Sequence, residues 1–217
     1  HLVVDEDVPS GLAIITVDDA GENSIVVSPG ANGRVGAGDV AGAAAVLMAA
    51  TVTLLQLEVP LDAVTAAAEA ATGIVILNAA PAATLPDDLL RATDVLVVNR
   101  VELEALTGSD DPVSARRLPV PVTVVTLGPD GARVVRADSD ASYPSPQVTP
   151  VDTTGAGDTF CGALASGLDK GLSLDASVRR AVVAGSLAVT AIGARSGMPT
   201  NAELEGVLGA QSPAGTE

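Results

Sequence analysis

From Val52 onward, short β-branched runs alternate with Ala- or Leu-rich stretches of helical length, and this alternation narrows the fold more than any single motif. Val52 to Leu57, Ile74 to Leu77, Val95 to Val98 and Val122 to Thr126 read as strands, because β-branched side chains suit a pleated surface. Leu61 to Ala71, Asp87 to Ala92 and Glu102 to Leu106 read as the intervening helices. Strand–helix–strand repeats imply parallel pairing, since a crossover is needed to return the chain to the same end of a sheet. The expected fold class is therefore α/β, a doubly wound and mostly parallel sheet covered by helices. Ala132 to Arg136 predicts a further strand after the turn at Pro129-Asp130-Gly131. Upstream, Gly11 to Val17 and Ser24 to Val27 flank Asp18-Asp19-Ala20-Gly21 and predict a hairpin. Ala41 to Ala50 predicts a helix with Asp39 as its N-cap. The chain closes with helices over Asp158 to Leu168, Leu174 to Ile192 and Ala202 to Leu208, then a frayed tail from Gln211.

Composition supports this and removes several chemistries. Aromatic residues are 1% of the chain while apolar residues are 47%, so the core must be built from Ala, Val, Leu and Ile, as suits a buried parallel sheet. His1 is the sole histidine, which excludes a Ser-His-Asp triad or a Cys-His dyad. One cysteine, Cys161, excludes a disulfide framework and a structural zinc site. The single lysine, Lys170, lies between Asp169 and Gly171, outside any Gly-Lys-Ser/Thr loop. A net charge of −16 argues against nucleic acid and against an anionic membrane surface. No apolar stretch of signal length follows a basic start, and Ala181 to Ala194 is too short to span a bilayer. The expectation is a cytoplasmic protein. Because the first residue is His rather than Met, a fragment or a processed product is also expected.

The sharpest segment is Val151-Asp152-Thr153-Thr154-Gly155-Ala156-Gly157-Asp158-Thr159-Phe160. A Gly-Ala-Gly turn delivers the chain into a helix, and its small residues let backbone N–H groups face a ligand at the positive helix end. Such groups neutralise charge on a transferring phosphoryl group as an oxyanion hole does. Asp158 at the helix start is placed to take a proton from an attacking hydroxyl; the alternative is a plain turn with Asp158 as a helix cap. Gly36-Ala37-Gly38-Asp39 repeats the four letters without the flanking Asp-Thr-Thr and Thr-Phe, and reads as a turn and cap. Glu58 ends an apolar strand before Pro60, at the carboxyl end where α/β sheets bind ligands. Asn99 reads equally as a helix cap, Glu102 as a solvated helix residue, Asp130 as a turn residue and Cys161 as a small buried apolar residue.

At the 151–160 segment the sequence resembles the ribokinase-like carbohydrate kinases, the PfkB family. Asn99-Arg100-Val101-Glu102 resembles the family's Asn-x-x-Glu motif, and Thr126-Leu127-Gly128-Pro129-Asp130-Gly131 its nucleotide loop. Gln56-Leu57-Glu58, Gly21-Glu22-Asn23 and Pro29-Gly30-Ala31-Asn32 narrow the resemblance to the ribose-phosphorylating members. The likeness runs from about Gly11 to Leu208. It implies a ribokinase-like, Rossmann-like α/β sandwich with a partial β lid. The lid hairpin would fall in residues 1–30, the kinase core in 31–210 and the tail in 211–217.

The implied activity is ATP-dependent phosphorylation of D-ribose at its 5-hydroxyl. Another sugar or nucleoside kinase of the family is one alternative, and an inactive nucleotide-binding remnant the other. By position, Asp158 matches the catalytic base, and Gly155, Ala156 and Gly157 the anion hole. Asn99, Thr126, Leu127, Gly128, Asp130 and Gly131 match the ATP site. Glu102 matches the support of magnesium, which accompanies ATP, and Glu58 and Asp158 match the sugar site. Asp152, Thr154, Ala188, Ala191, Gly193 and Gly197 match the ligands of an activating potassium ion, with Ser196 adjacent to the last. The implied partners are the sugar and ATP, and a homodimer through the lid. The family's opening strand and Gly-Gly-x-x-x-Asn sugar motif have no counterpart here. The 217-residue chain alone is therefore expected to bind Mg-ATP weakly at best and to phosphorylate ribose inefficiently.

Overall fold

The computed structural model describes residues 2–17 and 23–211. The expected turn at Asp18-Asp19-Ala20-Gly21, with Gly21 and Glu22 of the resemblance, lies outside the described residues, as does the tail beyond Gln211. Strands β1 (Leu12–Val17) and β2 (Asn23–Ser28) pair antiparallel, Ile14 opposite Val26, as a separate two-stranded ribbon. Leu12, Ile14, Val26 and Val27 on it are exposed.

Two short helices follow where one was expected, α1 (Ala37–Gly42) and α2 (Ala44–Ala49). The break falls at Ala43, directly after Gly42, a residue that weakens a helix by about 1 kcal/mol relative to Ala. Asp39 is not the N-cap: Gly36 is, and the Asp39 carboxylate accepts the Gly36 N–H from the third helical position at 2.9 Å.

The main sheet is built from β3 (Val52–Leu55), β4 (Ile74–Asn78), β5 (Val95–Val98), β6 (Val122–Thr126), β7 (Ala132–Arg136) and β8 (Asp140–Tyr143), paired in that order. The first four strands are parallel, and β7 and β8 add antiparallel. Strand β8 was not expected, because Asp140 and Ser142 interrupt its apolar pattern; it is an edge strand, and Asp140 ion-pairs with Arg116 and Arg133. Helices α3 (Leu61–Ala70), α4 (Asp87–Arg91) and α5 (Arg100–Thr107) connect the parallel strands. They pack on the face that carries Val75, Leu77, Leu96, Val98 and Val125. The opposite face carries Ile76, Val95, Val97, Val124 and Val134. It is covered by α6 (Ala156–Asp169) and α7 (Leu174–Ala188), with α8 (Asn201–Gln211) outside them. Alternate residues of each strand thus enter opposite cores, which is why these strands read as continuous apolar runs.

Helices α6 and α7 lie very close together. A Cβ added at Gly167 would stand 2.7 Å from the Ser177 hydroxyl. Near the other end of the pair, Gly185 faces the Ala156 carbonyl and the Phe160 side chain. These contacts fix the height of the α6 N-terminus over the sheet. Helix α7 ends at Ala188 rather than continuing to Ile192, and the Val189 carbonyl turns to accept the N–H groups of Val151 and Asp152 at 2.7 and 3.2 Å. No described helix is long and apolar enough to cross a membrane.

Candidate active site

The parallel strands deliver Asn99, Thr126 and, beyond the end of β3, Glu58 at their carboxyl ends. Against that rim stands the N-terminus of α6. Gly155 caps the helix in the left-handed region at φ +76°, and a Cβ there would lie 2.9 Å from the Ala194 Cβ. Only glycine satisfies both conditions without strain. The Ala156 N–H is turned back on the Thr153 carbonyl at 3.2 Å. The N–H groups of Gly157 and Asp158 carry no hydrogen bond among the described residues. They are orphan donors of a helix start, and both residues are exposed. The expected anion hole at Gly155, Ala156 and Gly157 therefore divides by role. Ala156 spends its N–H within the turn, while the Gly155 N–H, like those of Gly157 and Asp158, carries no hydrogen bond among the described residues.

Asp152 holds this turn in place. One carboxylate oxygen accepts the Thr154 N–H at 2.9 Å and the other the Gly193 N–H at 2.8 Å. Hydrogen bonds from Thr154 and Gly193 keep its acid below the usual carboxylate range. The loops before α6 and after α7 are thus stitched together through a charged group. Of the other residues matched to a cation, the Gly193 carbonyl accepts from Gly197 N–H and Ser196 Oγ at 3.4 and 3.3 Å. Gly197 packs so tightly on the Ala188 carbonyl that an added Cβ would lie 2.1 Å from its oxygen. Ala191 lies between α7 and this loop.

Asn99 and Glu102 form a reciprocal pair at the start of α5. The Asn99 amide oxygen accepts the Glu102 N–H at 2.9 Å. The Glu102 carboxylate accepts the Asn99 N–H at 2.7 Å and Nδ2 at 2.9 Å. Asn99 is a cap, as one reading of the sequence had it. Glu102 is not a solvated helix residue: it is 7% exposed, and burial raises its acid above the usual glutamate range against the lowering pull of the Asn99 N–H. Cys161 is buried, and its thiol is pushed up to about 12 by burial first and then by the charges of Asp158 and Glu102.

Beside the α6 start lies a cavity of about 330 Å³. Thr126, Gly128 and Gly131 line it, as do Ala156 and Gly157. Gly131 sits at φ +92°, and a Cβ on it would lie 2.0 Å from the Tyr143 carbonyl oxygen, so β8 and this loop pack backbone to backbone. Thr126 Oγ1 donates to the Val98 carbonyl at 3.3 Å and ties the loop to β5. Leu127, Asp130, Asn99, Glu102, Glu58 and Asp158 do not line this cavity. Glu58 is exposed, and its N–H is held by the Gln56 side chain. Its distance along the sheet from the cavity, at the opposite edge strand, separates the two candidate subsites. Reading of the sequence missed the far wall, formed by Ser145, Pro146, Val148 and Pro150 from the loop after β8 and by Val182, Ser186 and Val189 from α7. No local pattern links these segments.

The profile of the pfkB family carbohydrate kinases matches residues 1–201. The chain is 36% identical to the ribokinase of Haemophilus influenzae, covering 89% of this chain and 67% of that protein. It is 34% identical to the bifunctional ribokinase/ribose-5-phosphate isomerase A of Fructilactobacillus sanfranciscensis, across 100% of this chain but 42% of that protein. The structure of Arabidopsis thaliana ribokinase complexed with ribose and ATP superposes with a TM-score of 0.82 at 29% identity, over 93% of this chain and 70% of that one. The chain spans about two thirds or less of the length of these relatives. By profile, sequence and fold together, the chain belongs to the pfkB family of carbohydrate kinases.

Proposed function

We propose that the protein transfers the γ-phosphoryl group of ATP to the primary 5-hydroxyl of D-ribose. The observation that carries this reading is the α6 start: unbonded N–H donors at Gly157 and Asp158 and an exposed carboxylate on the same turn, beside a cavity of about 330 Å³. The nucleotide lies in that cavity along Thr126, Gly128 and Gly131, with its phosphates toward Gly157. Asp158 accepts the hydroxyl proton as the sugar oxygen bonds to the γ-phosphorus. The bond from that phosphorus to the β–γ bridging oxygen breaks, and ADP leaves. The Gly157 and Asp158 N–H groups face the charge of the transferring group, so catalysis rests on positioning and electrostatics. Glu58 binds sugar hydroxyls.

Among the described residues no three His, Cys, Asp or Glu side chains cluster as a metal site. Magnesium would enter with the nucleotide, where it would supply charge to the phosphates. Glu102, whose oxygens are held by Asn99, supports it at a distance. Asp152 and the carbonyl-rich turns around Ala188, Ala191 and Gly193, with Thr154 and Gly197, are hard oxygen donors of the kind a potassium ion takes. There the ion would supply charge behind the anion-binding turn.

The test is ADP release from Mg-ATP with D-ribose, 2-deoxyribose, fructose and adenosine as acceptors. D-ribose is expected to give the highest kcat/KM, and Glu58→Ala to raise the ribose KM with ATP binding little changed. A higher kcat/KM for another acceptor replaces the substrate assignment, and sugar-independent ADP release removes the kinase reading.

A further inference from the structure

The far wall of the cavity holds a hydroxyl pair whose hydrogens can be counted. The oxygens of Ser145 and Ser186 lie 2.6 Å apart. Ser186 Oγ is also 2.7 Å from the Val182 carbonyl, one turn back on α7, and Ser145 Oγ is 3.1 Å from the Pro146 carbonyl. Two arrangements satisfy these distances. Either Ser186 donates to Val182 and Ser145 to Ser186, or Ser186 donates to Ser145 and Ser145 to Pro146. Each hydroxyl has one hydrogen, and in both arrangements both hydrogens are spent inside the protein. What the pair turns toward the cavity is lone pairs alone. Thr126 has likewise committed its hydroxyl hydrogen, to Val98. Most of the remaining wall is apolar, through Val148, Phe160, Val182 and Val189, and no charged side chain lines it.

We propose that Ser145 and Ser186 set the base specificity of the nucleotide site, as an acceptor-only pair that selects a purine with an amino group at position 6. The inference rests on the ATP reading of the cavity and goes beyond it by assigning what reads the base. A mostly apolar cavity, with Gln147 and Thr153 as its other polar side chains beside Thr126, does not by itself tell one purine from another. The 6-amino group of adenine donates to the serine pair, whereas the 6-oxo group of hypoxanthine or guanine brings one acceptor against another. Accommodating the oxo group requires Ser145 to swing its hydrogen into the cavity, at the loss of one of the bonds that hold the pair to Val182, to Pro146 or to each other. Ser186 anchors the pair: it is 9% exposed and back-bonded to its own helix.

The experiment is equilibrium binding to the protein of Mg-ATP, Mg-ITP and the triphosphate of unsubstituted purine riboside, by calorimetry. ATP and ITP differ in the group at position 6 and in the hydrogen that hypoxanthine carries on N1, the unsubstituted purine lacking both the amino group and that hydrogen, and a single neutral hydrogen bond gained or lost corresponds to roughly tenfold. ATP is expected to bind about tenfold more tightly than ITP, with the unsubstituted purine between them. Ser145→Ala should bring ATP and ITP within about twofold, mainly by weakening ATP. Ser186→Ala leaves the Ser145 hydrogen only the Pro146 carbonyl at 3.1 Å as an acceptor, so it should narrow the gap by strengthening ITP. Circular dichroism and melting on each variant separate a binding change from loss of fold. Equal affinity of the parent protein for ATP and ITP overturns the inference while leaving the nucleotide reading intact, as does a Ser145→Ala variant that keeps the tenfold preference. Failure of all three nucleotides to bind overturns both.

Discussion

Gly155 and Gly157 stand two residues apart and should answer to the same substitution in opposite ways. At Gly155 the backbone is left-handed, and an added methyl group meets the Ala194 Cβ at 2.9 Å and its carbonyl oxygen at 3.0 Å. The left-handed conformation costs an L-residue about 1–2 kcal/mol. Forcing an extra carbon into a packed contact costs about 1–3 kcal/mol more. Gly155→Ala should therefore destabilise by roughly 2–5 kcal/mol. For a chain of this size each kcal/mol moves Tm by about 2–4 °C, so the melt should fall by roughly 4–20 °C. Gly157 has no positive φ, and a methyl group added there would find nothing within 4 Å. Alanine is the better helix former by roughly 0.8–1.0 kcal/mol, so Gly157→Ala should melt at or slightly above the parent. It nevertheless adds a methyl group to a cavity-lining residue beside a free N–H, and turnover should drop. Thermal melts by circular dichroism, with ADP release on the same samples, measure both. Adding Ala194→Gly to Gly155→Ala removes the Cβ contact but not the carbonyl or the backbone strain, so it should recover only part of the loss. A Gly155→Ala melt within about 1 °C of the parent would refute the packing argument, and equal destabilisation by Gly157→Ala would refute the contrast.

Asp158→Asn should lower kcat by several powers of ten with nucleotide affinity within a few-fold, since in the proposed mechanism the carboxylate acts on the proton in the transition state; near-normal turnover in steady-state assays would remove it from the mechanism. Replacing sodium by potassium at matched ionic strength should raise the rate, and Asp152→Ala should abolish the response; equal rates of the parent in both salts would eliminate the cation site. Glu102 binds its proton more tightly folded than unfolded, because burial raises its acid above the ordinary value of 4.5. Its contribution to stability is therefore full below the ordinary glutamate range and is lost as pH rises through the raised native value. Glu102→Gln should flatten that decline in urea midpoints, and an unchanged profile would contradict the assignment.

What the sequence disclosed follows from the range of each interaction. The parallel strands were legible because both faces are buried, so each reads as an unbroken apolar run. The α6 turn was legible because Gly155, Ala156, Gly157 and Asp158 act through neighbouring backbone. Strand β8 was hidden because its partner, β7, supplies the apolar register while its own edge carries Asp140. The Asn99–Glu102 pair was visible as a spacing, but its burial was not, since that depends on the sheet behind α5. Ser145 and Ser186 were invisible for a stronger reason: they meet across 41 residues, through the packing of α7 against the loop after β8.

The sheet lies in sequence order from β3 to β8, with one face covered by the helices between its strands and the other by helices made afterwards. On the ribosome, at roughly 5–20 residues per second, the first face can close as each crossover emerges. The second, with Ile76, Val97, Val124 and Val134, waits seconds longer for α6 and α7. Helices α6 and α7 thus both seal that surface and bring the turn at Gly155 to Asp158, the proposed phosphoryl site. Ribosome stalling or nonsense truncation before Gly155 should yield a sticky, chaperone-bound intermediate rather than a folded protein lacking only its active site.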